Sequence, residues 1–269
     1  LKFEPGKILK NKNSFLGRTL ISSRYRIDQK SSNENAGSLF RFVNFNFDDT
    51  VSIVSNNAVF DHNIFFNRGN PSYDVQLSYR TSENKFVQIS GFERRSQKEY
   101  YARSRINLKR KVDAIVELRT GIKEYDSQNF DSQDFNIDYY SILPQVNYRP
   151  STNLRIVGKY NFTRSKNMST LEETSLAQDL GIEITWRQGS FSNLQFSFNF
   201  VNIDFTGQQN SPVEFEMLQG LKDGKNYLWQ LNYTRRISNS IDLILNYDGR
   251  KSESNALINT AGVQLRAVF

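Results

Sequence analysis

Six stretches of this chain alternate apolar and polar residues with period two, and that pattern restricts the fold more than any single motif. In "KVDAIVELRTG", Val112, Ala114, Val116 and Leu118 share one face, while Asp113, Glu117 and Arg119 oppose them. "NLRIVGKYNFTR" sets Leu154, Ile156, Gly158, Tyr160 and Phe162 against Arg155, Lys159, Asn161 and Thr163. "NLQFSFNF" aligns Leu194, Phe196, Phe198 and Phe200. "NYLWQLNYTRR" aligns Tyr227, Trp229, Leu231 and Tyr233, and "SIDLILNYDGR" aligns Ile241, Leu243, Leu245 and Tyr247. The closing "NTAGVQLRAVF" does the same with Val263, Leu265, Ala267 and Phe269. Successive strand residues point to opposite faces, and a helical period of 3.6 fits none of these segments.

Sorting the charges by face sharpens the reading. Between the first and last apolar residue named on each, the apolar faces of the six segments carry no Asp, Glu, Lys or Arg. The opposite faces carry Asp113, Glu117, Arg119, Arg155, Lys159, Arg236, Asp242, Asp248, Arg250 and Arg266. A soluble sandwich separates its faces in the same way, so the solvent is decided by other signals. The segments predict strands of about 12 to 16 residues, whereas globular strands cluster near 5 to 6. Crossing the hydrocarbon of a bilayer takes about 9 to 11 tilted residues, with extension beyond it. No apolar run approaches the length of a spanning helix.

Connections and aromatics point the same way. Tight links near 110, 150, 189 and 238 alternate with longer ones in "YDSQNFDSQD", "RSKNMSTLEE", "TGQQNSPVEFEMLQGLKDGK" and "GRKSESNA", as in outer-membrane barrels. Aromatics reach 13% of residues, which argues against disorder. Trp186, Trp229, Tyr160, Tyr227 and Phe269 fall near the ends of apolar stripes and are assigned to the membrane interfaces, where an amphipathic ring has its polar tip wet. The expected fold is all-β: a transmembrane antiparallel up-and-down β-barrel. Spacing predicts 12 strands back to residue 57 and 14 with the N-terminal segments. Residues 1–13 read as a polar linker from a preceding region of a longer protein, and 14–269 as the barrel domain.

The last fifty or so residues carry a more particular pattern. Met217, Leu218, Gly220, Leu221, Gly224, Asn226, Tyr227 and Trp229 form one run, Tyr247, Gly249, Arg250 and Lys251 a second, and Arg266, Ala267 and Phe269 the end. This region resembles the C-terminal part of large surface or outer-membrane proteins of Bacteroidota. Weaker similarity extends back to about residue 15 and includes "FFNRGNPSYDVQLSY". The resemblance implies a C-terminal barrel behind a large region, in the outer membrane of a Gram-negative bacterium; it implies no reaction. A final strand ending in an aromatic also resembles the pattern by which barrel-assembly machinery recognises its clients.

The connection 206–225 is the most informative loop. Ser211, Pro212 and Glu214 stand as N-cap, N1 and N3 of a capping box, and Phe215, Leu218 and Leu221 follow at i, i+3 and i+6. A short amphipathic helix is expected, with Phe215, Met217, Leu218 and Leu221 assigned to partner contact; packing on the barrel rim or folding inward are the alternatives. Segment 38–57 is rich in Phe and reads as a bulged strand or a plug. His62, the one histidine, shares a face with Phe60, Ile64 and Phe66, which points it away from any aqueous catalytic site. Arg155, Lys159, Arg236, Asp242, Asp248 and Arg266 are assigned to the lumen. With no cysteine and no ligand-spaced cluster, no metal or cofactor is expected. The net charge of +7 sits opposite the aromatics rather than beside them, against nucleic-acid binding. The expected role is therefore not enzymatic. The barrel anchors a larger protein among outer-membrane lipids, as a subunit contacting other outer-membrane or periplasmic proteins. Passage of small solutes ranks second and an outer-membrane enzyme third.

Overall fold

Each alternating segment becomes a strand, and neighbouring segments pair in chain order. The computed structural model describes residues 1–5, 16–31, 53–88, 91–169, 172–253 and 255–267. The strands are β1 (Lys2–Phe3), β2 (Leu20–Ser31), β3 (Ile53–Phe66), β4 (Tyr73–Gln88), β5 (Gly91–Lys109), β6 (Val112–Ser127) and β7 (Phe135–Tyr148). They continue as β8 (Leu154–Asn167), β9 (Thr174–Gln188), β10 (Ser192–Thr206), β11 (Gly224–Ser238), β12 (Ile241–Ser252) and β13 (Ile258–Ala267). One helix, α1 (Pro212–Leu218), interrupts the connection between β10 and β11. All thirteen strands form one sheet in the order β1 to β13, antiparallel throughout.

Twelve long strands plus a two-residue one fit the expected range, although eleven rather than twelve follow residue 52. Strand β5 runs unbroken for 19 residues, longer than the alternation alone predicts. Several expected loops are also partly strand: β6 reaches Ser127, β8 reaches Asn167 and β12 reaches Ser252. At those far ends charge enters the outward face, as with Arg164 and Lys166 on β8, paired beside Tyr140 and Asp138 of β7. Arg235 does the same at the opposite end of β11, beside Ser192 and Leu243. The separation of charge by face therefore holds over the middle of the strands from β6 onward and lapses at their tips, whereas on β5 Lys98 already stands outward beside Ile122. In place of a linker throughout, Lys2 and Phe3 pair with Ser22 and Ile21 of β2. Segment 38–57, expected as a bulged strand or a plug, lies mostly outside the described residues; from Ile53 onward it belongs to β3.

The sheet curls around α1. Glu216 of the helix meets Lys123 on β6 at 2.6 Å, while Val213, Met217 and Leu218 pack with Ile137 of β7 and Val201 and Ile203 of β10. Strands β6 and β10 are four apart in the sheet, about 19 Å if flat at the usual strand spacing. A seven-residue helix touches both only because the sheet is concave there.

Glycines mark where this curl is tight. A Cβ on Gly121 would collide with the backbone carbonyl oxygen of Lys98 on β5, whereas a Cβ on Gly158 meets nothing within 4 Å. Gly121→Ala is expected to destabilise the sheet by about 1 to 3 kcal/mol, the usual cost of overpacking. Gly158→Ala should be neutral or slightly stabilising through the unfolded chain. Urea unfolding midpoints of the two variants, measured side by side, check the contrast.

Candidate functional site: the concave face and its helix

Inward residues follow from the pairing register. On β6 they are Asp113, Glu117, Arg119 and Lys123, opposite Asn107, Arg103, Tyr101 and Gln97 of β5. The polar groups satisfy one another across the strands. Asp74 of β4 accepts from Arg105 Nε at 2.6 Å and from Arg103 at 3.3 Å. Glu117 accepts from Arg119 at 3.0 Å. Tyr139 donates to Glu99 at 2.7 Å and accepts from Gln97 at 3.2 Å. Arg119 also lies over the ring of Tyr101 and Lys123 over that of Tyr139.

All six residues assigned to the lumen project from this inward side. Arg155 donates to Asn147 at 2.9 Å, and the Asn147 amide donates in turn to Asp113. Lys159 reaches Glu183 at 2.8 Å. It does so by lying flat across Gly181, where a Cβ would strike its side chain. Arg236 pairs with Asp242 at 3.5 Å, and Arg266 stands opposite Asp242 in the β12–β13 register. Asp248 joins Arg250, Gln230, Ser197 and Asn199 around a cavity of about 420 Å³. These charges are not brought to one point; they are spread along the face in local pairs. Among the described residues no three His, Asp or Glu side chains form a metal-binding group.

Helix α1 is built as its sequence requires. Ser211 is extended at the N-cap and its hydroxyl accepts the Glu214 N–H at 3.0 Å, with Pro212 in the first turn. The Glu214 carboxylate returns to the Asn210 N–H, one residue earlier than expected of a capping box. Gln219 closes the helix in a left-handed conformation, φ 52°. The buried side is Val213, Met217 and Leu218, with Leu221 packed behind it, whereas Phe215 is 70% exposed. Of the four residues assigned to partner contact, Met217 and Leu218 are thus occupied within the chain, and only Phe215 is free to meet anything else. Leu218 and Leu221 of the i, i+3, i+6 stripe do face the sheet, while Phe215 turns away, because Val213 and Met217, four apart, complete the side that fits between β7 and β10.

The surrounding connections hold the helix in place. Glu173, 1% exposed, accepts from the Asn167 amide at 3.0 Å and from the Gln208 N–H at 3.1 Å, tying two loops together. Asn226, also buried, donates to the Lys222 carbonyl at 2.7 Å and accepts from Ser252 at 2.7 Å. Cavities of about 210 and 240 Å³ remain on either side of the Lys123–Glu216 bridge. Lys123, Glu216, Tyr139 and Glu99 were not singled out from sequence. Face parity marks Lys123 as inward, but its partner becomes visible only once α1 is docked.

The outward face is the inverse. Leu118, Ile142, Val146, Leu180, Val263 and Leu265 are exposed there. Trp186 pairs beside Leu154 and Leu194, and Trp229 lies over Gly249, where a Cβ would strike the indole. Tyr227 packs on Phe200 with ring centres 5.2 Å apart. Tyr160 is outward but near the middle of β8 rather than at its end, because β8 extends past its apolar stripe. Phe269 lies outside the described residues. His62 sits in a row of rings with Phe60, Tyr79 and Tyr100, its Nδ1 2.9 Å from Ser23 Oγ. Among the described residues no carboxylate is hydrogen-bonded to it. Leu218→Ala is expected to weaken docking of α1 by about 2 to 5 kcal/mol, read as faster trypsin cleavage after Lys222. Phe215→Ala should stay within about 0.5 kcal/mol of the parent in the same assay.

No protein-family model and no curated protein matches this sequence. Among solved structures, it is similar to the translocator domain of the autotransporter NalP from Neisseria meningitidis, at 10% identity over 93% of this chain and 88% of that one, TM-score 0.33. It is also similar to the beta domain of the Bordetella autotransporter BrkA, at 8% identity over 94% and 100%, TM-score 0.36. The transport unit of AIDA-I from Escherichia coli shows 7% identity over 93% and 89%, TM-score 0.31. Likenesses this distant carry no argument about function, which rests on the chain's own geometry.

Proposed function

We propose that this chain is an outer-membrane β-barrel of a Gram-negative bacterium that anchors a larger protein and serves as a subunit of a membrane complex. The observation that supports it is the inverted arrangement of its faces: an exposed apolar outer side and a charged, mutually paired inner side. A soluble protein rarely exposes so broad a contiguous apolar surface. The dimensions suit a bilayer. On β7, Tyr140 and Tyr148 bracket Ile142, Pro144 and Val146 on the outer face. Their separation is about 27 Å along the strand, which a tilt of about 40° reduces to about 20 Å, close to the apolar band of such barrels.

Closure follows from the same reading. Strands β2 and β13 run antiparallel and bound a set of twelve long strands, with β1 covering only Ile21 to Ser23 of the outer edge of β2, and an open edge in lipid would leave backbone groups unsatisfied. The resemblance to Bacteroidota surface proteins, and recognition of β13 by assembly machinery, belong to this proposal too. Anchoring is preferred to transport because α1 and the ion pairs occupy the concave face. Phe215, exposed on the outer side of α1, is the residue of that loop still available to a partner.

Planar-bilayer recording of the refolded chain tests the choice. Anchoring predicts a heat-modifiable band on gels and no discrete conductance; steps that change on Lys159→Gln would put transport first. Leu118→Arg, on the outer face near mid-strand, is expected to cost about 2 to 4 kcal/mol in vesicles. An unchanged urea midpoint for that variant would remove the membrane reading.

A further inference from the structure

The two ends of the sheet differ in charge. Connections 67–72, 110–111, 149–153, 189–191 and 239–240 lie at one end, where β2 also begins and β13 finishes. Apart from Glu4 beside β1, the carboxylates within four residues of the strand ends there are Asp74, Asp113 and Asp242. Each is already answered by an arginine: Asp74 by Arg103 and Arg105, Asp113 by Arg149 at 3.1 Å, and Asp242 by Arg236. Lys109, Arg110, Lys111, Arg187 and Arg235 are five of the cations that remain, together with Arg24, Arg68 and Arg266, all exposed and with no carboxylate partner among the described residues. The opposite connections are acidic instead, with Asp131, Asp134, Glu172, Glu173, Glu214 and Asp223.

These five cations are not a single patch. They sit on β5–β6, at the end of β9 and at the end of β11, so they are distributed along the rim. Each group stands next to exposed apolar side chains at the strand ends: Leu108 is 61% exposed beside Lys109, and Phe191 is 62% exposed in the turn after Arg187. Arg187 itself alternates onto the concave side opposite Asn193, one residue from the end of β9. Ile237, also exposed, follows Arg235 and Arg236. A docking patch for an acidic protein would gather its cations on one side. Cations spread along a rim, each against an apolar neighbour, match the height at which lipid phosphates meet hydrocarbon.

We infer that the short-turn end carries an anionic-phospholipid collar, in which Lys109, Arg110, Lys111, Arg187 and Arg235 hold the phosphates of acidic headgroups in the adjoining leaflet. The inference rests on the membrane reading above and adds the lipid class and the side. It also gives the collar an orienting role: acidic lipid favours the short-turn end over the acidic loop end, so the two faces of a bilayer are not equivalent to this chain.

Trp186, two residues from the end of β9 and next to Arg187, is a built-in reporter. In the Trp229→Phe protein refolded into phosphatidylcholine vesicles, its fluorescence is quenched by brominated lipid. Brominated phosphatidylglycerol is expected to compete about fivefold better than brominated phosphatidylcholine for the Trp186 site, the size of about one favourable surface charge. The preference should shrink in high salt and fall to about onefold, no preference, in Arg187→Gln/Arg235→Gln. Arg110→Gln/Lys111→Gln, confined to a two-residue turn, secures the test if the first variant folds poorly, and should lose part of the preference. Equal quenching by the two lipids in the parent, or a preference untouched in both variants, overturns the collar. Equal quenching together with salt-sensitive binding of soluble polyglutamate also overturns it, and assigns the cations to an acidic protein. Absence of quenching by either lipid defeats the membrane reading instead, so the two failures are distinct.

Discussion

In a pleated strand the backbone ladder decides which side every residue faces, and a slip of one position exchanges the two sides. Everything else in this protein depends on that lock. From Leu20 to Ala267 the register runs through eleven consecutive pairings of long strands, and at each one the apolar set must stay outward and the charged set inward. Three local irregularities, at Lys30/Ser31, Asn107/Lys109 and Arg236/Ser238, fall next to strand ends, where the faces no longer differ. Mid-strand parity is thereby preserved.

Individual inward contacts are modest. An ion pair as exposed as Lys123–Glu216, with each side chain about 30% accessible, is worth only about 0.2 to 1 kcal/mol. What the inner face gains from pairing is mainly that few charges are left without an answer. The stronger contribution there is apolar. Leu218, at 1% exposure, and its neighbours on β7 and β10 form a small core within an otherwise polar surface, so the helix is held by burial and merely aligned by charge.

How much of this was legible beforehand follows the range of the interactions involved. Period-two alternation is local, so the strands, the inward residues Arg155 and Lys159 and the outward position of His62 could be read directly. A capping box spans four residues, and the helix start at Ser211 was read correctly as well. The helix's buried side was not, because Val213 and Met217 are chosen by Ile137 and Val201, which are far away in sequence. Tyr139–Glu99 and Lys159–Glu183 require the cross-strand register, which no single segment encodes. Gly121 looks like any strand glycine until β5 is laid against it. The strand tips were placed too early because alternation stops where the apolar face stops, while hydrogen bonding continues to Ser127 and Asn167.

The order of the sheet has a further consequence for how the chain assembles. With every strand beside its sequence neighbour, most hairpins close a short loop, and the sheet can grow by local steps whose entropic cost is small. Docking of α1 is different in kind: Glu216 must find Lys123 across 93 residues. That contact, and the apolar seat on β7 and β10, exist only when the strands between have all paired in register. The helix therefore acts as a completion check, seating last and only on a correctly ordered sheet, and a register error anywhere from β6 to β10 would leave its buried leucine in water.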